Sequence, residues 1–275
     1  MMQPAGPDSV WRTQIAAIAR AEVVRSVFSR RALPSYLLVG LPLLLMVLRA
    51  LFMPDSLRVN AAHATNEFAE VFNIFFLRFV VFFTNAMIFV RLFRGEILEK
   101  SLHYTLLAPI RREVLVVGKY LGGLVASLLI LIPTTVLTYV LVFLPHGAAG
   151  MSRLGTTSAL GALAAYLLIV FLASCAYGAL FLLAGLYFKN PMVPAVLFLG
   201  WEVLTPFLPT LLKYLSFTHY LASFSPVPVR LAAFAVFAQP VAWWAALLAL
   251  LGAAAILLTG ATYAARRLEV TYSAD

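Results

Sequence analysis

Six apolar runs govern what this chain can fold into: roughly Leu33–Met53, Val71–Phe93, Val114–Phe143, Thr157–Phe188, Pro191–Leu212 and Val241–Ala264. At about 1.5 Å of rise per helical residue, each is long enough to cross about 30 Å of hydrocarbon. With 63% of its 275 residues hydrophobic and 11% charged, the chain lacks the polar surface that a soluble body of this size requires. A soluble enzyme and a disordered chain are excluded. Six spans leave residues for tails and loops, but not for a nucleotide-binding domain. The third and fourth runs exceed the hydrocarbon thickness and should tilt or project beyond it. Lys189 and Asn190 alone separate the fourth run from the fifth, so these two should form an antiparallel hairpin. Pro34, Pro42, Pro133, Pro194, Pro206 and Pro209 fall within or at the ends of spans. Membrane helices tolerate such residues when neighbouring groups satisfy the freed carbonyls.

The bases give the orientation. If the spans alternate, 14 of the 20 Lys and Arg residues lie on the side of the N-terminus. Arg58, Arg153, Lys213 and Arg230 lie on the other side, and Arg49 and Arg78 lie within spans. The positive-inside rule then places both termini in the cytoplasm. A net charge of +9 also raises nucleic-acid binding, but the bases are spread over separate juxtamembrane stretches with no aromatic platform on a soluble domain. Topology and attraction to anionic lipid account for them, and no nucleic-acid partner is expected.

The polar start of the chain, with Pro4, Gly6, Pro7 and Asp8, does not follow the basic-then-apolar order of a signal peptide, so the first run is expected to be retained as a span. Residues 10–31 predict a helix at the cytoplasmic interface, with Trp11, Ile15 and Ile18 as a stripe at helical spacing. Glu22 and Arg25 interrupt that stripe. A basic tail that serves only orientation is the alternative.

The most informative stretch joins the second and third spans, from Arg91 to Glu113. On a helical wheel Glu96, Glu99, Lys100 and His103 fall on one side, with Leu98, Leu102, Thr105 and Leu106 on the other. Glu96 and Lys100 stand at i,i+4 in the favourable order, so the stretch predicts a short amphipathic helix. Pro109 ends it, because proline lacks the amide donor and moves its predecessor out of the helical region. Arg111 and Arg112 follow, and Gly118 and Lys119 lie near the inner end of the third span. Such a helix can pass motion from a cytoplasmic partner into the spans, or can serve as a passive connector.

The order Phe93-Arg94-Gly95-Glu96, then Leu106-Leu107-Ala108-Pro109-Ile110-Arg111-Arg112, then Gly118-Lys119-Tyr120 resembles the first cytoplasmic loop of ABC transporter permeases of the type-2 (exporter) family. The resemblance implies an all-α integral membrane fold of six transmembrane helices, with an N-terminal interfacial helix, a cytoplasmic coupling helix and external re-entrant helices. It implies a dimer with a second permease copy or paralogue, and a separate cytoplasmic ABC ATPase on which ATP-Mg is bound and hydrolysed. Arg94, Glu96, Glu99, Lys100, Pro109, Arg111, Arg112 and Lys119 become the expected coupling-loop residues. On this reading residues 1–31 form the tail and interfacial helix, 32–270 the six-span permease domain, and 271–275 a cytoplasmic C-terminal tail. The resemblance also implies that the chain resides in the plasma (inner) membrane. The semi-apolar segment from Lys213 to Pro240, broken at Pro226–Pro228, reads as a re-entrant pair or as interfacial surface helices.

No phosphate loop is present, since Gly118-Lys119 is followed by Tyr120 and lacks the upstream glycine. His63, His103, His146 and His219 are isolated, and no metal-hydrolase pattern or catalytic constellation stands out. No catalytic residue, metal or cofactor is therefore expected in this chain. An ATPase-independent secondary carrier, an intramembrane enzyme and a structural anchor for other subunits are the alternatives. Arg78 and Glu202, charged residues inside spans, are candidates to line or gate a polar pathway as a pair, or to serve as a structural ion pair or hydrogen-bonded anchor. Arg49, near the outer end of the first span, is expected to reach the headgroups. Gly118 with Gly122 and Ser174 with Gly178 mark close-packing surfaces, while Trp243, Trp244 and Tyr263 suit interfacial belts. Cys175 lies in an apolar run and is expected to act as a small buried hydrophobe.

Overall fold

A computed structural model describes residues 7–54, 64–99, 107, 110–227 and 241–267. Among them the secondary structure is helical, without strands. Helices Leu33–Phe52 (α2), Ala64–Leu98 (α3), Thr157–Tyr187 (α6) and Trp243–Arg266 (α10) are long and apolar enough to cross a membrane. So is the run Arg112–Leu154, which comprises α4 (Arg112–Phe143), a short 3₁₀ turn and α5 (Gly147–Leu154). The chain is an all-α protein whose apolar helices fit a multi-pass membrane protein.

The second crossing helix is longer than its apolar run. Residues Phe72–Val81 of α3 are wound as a π-helix, and the helix continues to Leu98. The stretch Arg91–Leu98 is therefore the end of a span and not the start of a separate amphipathic helix. Residues 100–106, 108 and 109, which include Lys100, His103 and Pro109, lie outside the described residues. So do His63 and residues 271–275.

The fifth run differs most from its expectation. Pro191–Leu212 does not form one span. Met192–Leu204 (α7) has 13 residues, roughly 20 Å of helix, and a 3₁₀ turn follows at Thr205–Phe207. Pro206 and Pro209 remove two backbone donors in succession, which halts the helix. After the four-residue turn Thr210–Lys213 (α8), Phe217–Leu221 (α9) folds back into the bundle. Its Phe217 ring lies 5.5 Å from both Tyr177 of α6 and Phe198 of α7, and Leu221 is buried. This first piece of the Lys213–Pro240 segment is thus packed among helices rather than spread on the surface; residues 228–240 lie outside the described residues.

The core is aromatic and centred on α3, α4 and α6. Phe68, Phe72, Tyr139 and Tyr166 interlock at one end, with ring centroids 4.6–4.8 Å apart in their closest pairs. Phe82, Tyr177 and Phe181 continue the stack. Small residues let the helices approach. A Cβ on Gly178 would fall 2.5 Å from the Phe89 ring, and Asn85 donates to Ser174 Oγ across the same α3–α6 contact. The expected Ser174–Gly178 packing surface is where α6 receives α3.

Helix Pro7–Phe28 (α1) lies along the start of α4. A Cβ on Gly118 would meet Ile18 at 2.9 Å, and one on Gly122 would meet the Ala19 carbonyl and Glu22 Cβ at 2.8 Å. The small-residue pair on α4 therefore seats the N-terminal helix, with the Trp11, Ile15 and Ile18 stripe turned toward α4.

Candidate functional site

The end of the bundle that carries α1 gathers charges which the sequence keeps far apart. Lys119, 1% exposed, donates to Glu22 of α1 at 2.5 Å and to Glu96 of α3 at 2.7 Å. Its third donor position is filled by the Leu92 carbonyl at 2.8 Å, and the ammonium lies 5.3 Å from the centre of the Phe93 ring. Arg25 adds a bond to Glu96 Oε1 at 3.1 Å from a half-exposed position. One buried lysine thus ties α1, α3 and α4 together through two carboxylates. Isolated charges in such surroundings cost several kcal/mol each, so the cluster holds only as a unit.

Glu22, which interrupts the apolar stripe of α1, is the polar end of the same face. Residues 11, 15, 18 and 22 follow helical spacing, and the carboxylate arrives where Lys119 awaits it. Glu96 is buried and reaches Lys119, so its place in the protein is at the root of the loop rather than on a partner-facing surface.

Other expected loop residues fasten neighbouring parts of the same end. Arg111 lies over the Trp11 ring at 4.7 Å. Arg112 donates to the Ala265 and Arg266 carbonyls at 3.0 and 2.5 Å, which satisfies free carbonyls at the end of α10. Arg266 in turn meets Glu113 at 2.5 Å. Arg94 and Glu99 line a cleft of about 680 Å³ between α1, the starts of α2 and α7, and the end of α3.

Arg78 and Glu202 do not form an ion pair. Glu202, 1% exposed, accepts from Ser216 Oγ at 2.8 Å and from the amides of Phe217 and Thr218 at 2.8 and 3.0 Å. These are free donors at the start of α9, so Glu202 acts as a carboxylate cap supplied from another helix. Arg78 donates to the Val203 carbonyl at 3.3 Å, one residue along α7. The two side chains flank one junction and hold the broken fifth segment against α3. Arg49 also differs from its expectation: it pairs with Glu67 at the start of α3 rather than extending alone to headgroups.

Trp243 and Trp244 are exposed at the start of α10 and Tyr263 near its end. Cys175 is buried and free. Among the described residues no group of three or more His, Cys, Asp and Glu side chains could hold a metal ion. In comparisons with known proteins, no family model matches the chain and no curated protein matches it.

Proposed function

We propose that this chain is the membrane-spanning permease subunit of an ABC exporter of the type-2 family, working with a separate ATPase. The observation that carries this reading is the direct bond between the two ends of the resembling loop. Glu96 closes the Phe93-Arg94-Gly95-Glu96 element and Lys119 closes Gly118-Lys119, and their side chains meet at 2.7 Å. The loop between them is thereby clamped at its root to α1, α3 and α4. A push on such a loop moves three helices together instead of bending one connector.

On this reading the basic end faces the cytoplasm of the plasma membrane, with both termini there, and the chain makes six passes. The broken segment α7–α9 supplies the fifth pass together with its re-entrant return. ATP-Mg binds on the ATPase, whose closure displaces residues 100–110, and the helices alternate access for a substrate between two permease subunits. Glu99 and Lys100 are the candidates for contact with the ATPase, whereas Glu96, Arg111, Arg112 and Lys119 hold the loop. Glu202 and Arg78 set the position of the re-entrant helix beside the pathway.

The test is purification of the tagged chain from its native membranes in mild detergent. A stoichiometric phosphate-loop ATPase that is retained by the chain, and lost when Glu99 and Lys100 are both reversed in charge, is the expected result. Absence of any such ATPase, or substrate movement by the purified chain alone, overturns the proposal and favours a carrier.

A further inference from the structure

The cleft of about 680 Å³ at the basic end is two-sided in chemistry. Arg25 comes to it from α1, Arg30 from the turn Arg30–Ala32, Arg91 and Arg94 from α3 and Lys189 from the link between α6 and α7, and Ser26, Ser35 and Asn190 add neutral polar groups. Ala32, Pro34, Met87, Val90, Leu98 and Met192 supply apolar wall. Glu22 and Glu96, the acids at its base, are already engaged by Lys119. The remaining acid, Glu99, faces more bases than it can neutralise.

Arg94 carries the more specific signal. Its Nε is buried and has no hydrogen-bond partner among the described residues. Arg94 itself lines the cleft, so its guanidinium keeps donor capacity that the protein does not use. Arg30 and Lys189 are exposed and carry no bond to another described residue. Met192 of the lining is exposed, as are Leu33 and Val193, the chain neighbours of lining residues. A free anion has no use for that apolar border, whereas an acyl chain fits it.

We propose that this cleft binds the phosphate-bearing head of an anionic phospholipid, with Arg30, Arg94 and Lys189 around the phosphate and the acyl chains along α2 and α7. Arginine suits a phosphate through paired N–H donors, and lysine contributes a mobile point charge. The site is independent of the transport reading, since it needs neither an ATPase nor a substrate.

The experiment uses the full chain in nanodiscs of phosphatidylcholine, with or without phosphatidylglycerol, followed by native mass spectrometry of retained lipid. Phosphatidylglycerol is expected to be retained over phosphatidylcholine, with retention falling about fivefold for each of Arg30→Gln and Lys189→Gln, and further for Arg94→Gln. Arg153→Gln, an equal charge loss at the opposite end, should leave retention unchanged. Size-exclusion profiles and thermal unfolding confirm that each variant is folded. Equal retention of the two lipids, or equal retention by the parent and a variant that combines Arg30→Gln, Arg94→Gln and Lys189→Gln, overturns the site. Thermal protection by free glycerol phosphate as strong as that by phosphatidylglycerol overturns the lipid as its occupant.

Discussion

Two buried carboxylates, Glu96 and Glu202, are held in opposite ways. Glu96 stands beside a lysine and an arginine and shares the lysine with a second acid. Glu202 meets no cation within bonding distance and is held by a hydroxyl and two backbone amides. The first arrangement joins three helices through their side chains. The second fixes the start of a five-residue helix that could not persist alone. Charge compensation by ions gives a clamp between elements that are already formed. Compensation by backbone dipoles gives an element its place.

The largest expected effect comes from breaking the ionic clamp. Lys119→Met leaves Glu22 and Glu96 buried without their shared cation and should cost about 3–5 kcal/mol. Thermal unfolding in detergent would read this as a large drop in midpoint, and unchanged stability would show that water reaches the cluster. Glu202→Gln keeps the shape but removes the charge from three hydrogen bonds and sets an amide donor among donors. A loss of about 2–3 kcal/mol is expected, with faster proteolysis around residues 205–221. If transport falls while stability and proteolysis stay normal, Glu202 belongs to the pathway and is not an anchor.

A third change tests the clamp without touching charge. Gly122→Val drives a side chain into the Ala19 carbonyl and Glu22 Cβ, which should cost about 1–3 kcal/mol. Hydrogen exchange along α1 should rise while α6 stays protected. Arg78→Gln removes one bond to the Val203 carbonyl and should cost about 1 kcal/mol, well below Glu202→Gln; a larger loss would mean that the arginine also supports the carboxylate across the junction. The smallest effect belongs to Arg266→Ala. Its pair with Glu113 is 62% and 40% exposed, so a change of about 0–1 kcal/mol in the unfolding free energy is expected.

Much of the helical architecture was legible along the chain. The runs at Leu33, Val114, Thr157 and Val241 each correspond to a crossing-length helix, because every backbone group in lipid must be satisfied within its own segment. The break in the fifth run was not legible, for a local reason. Hydropathy counts apolar side chains, and Pro206 and Pro209 hardly alter that count while removing the donors that a helix needs. The second span was underestimated at its basic end, where Arg91 and Arg94 lower the hydropathy without disturbing the helix. Glu96 also takes a partner 23 residues distant, Lys119, which no local spacing along the chain signals.

The sequence by itself determined the solvent this protein is built for, the helices that solvent demands, and the small residues where two of them could approach. Helical periodicity fixes which face a residue occupies, but it carries no record of which other face will meet it. Only the tertiary structure decided that Glu22 completes the stripe of α1 instead of spoiling it, since Lys119 lies 97 residues away. It likewise decided that Glu202 holds a returning helix rather than Arg78. Buried charges find their partners through packing, because the cost of leaving them unpaired is settled only once water has been excluded.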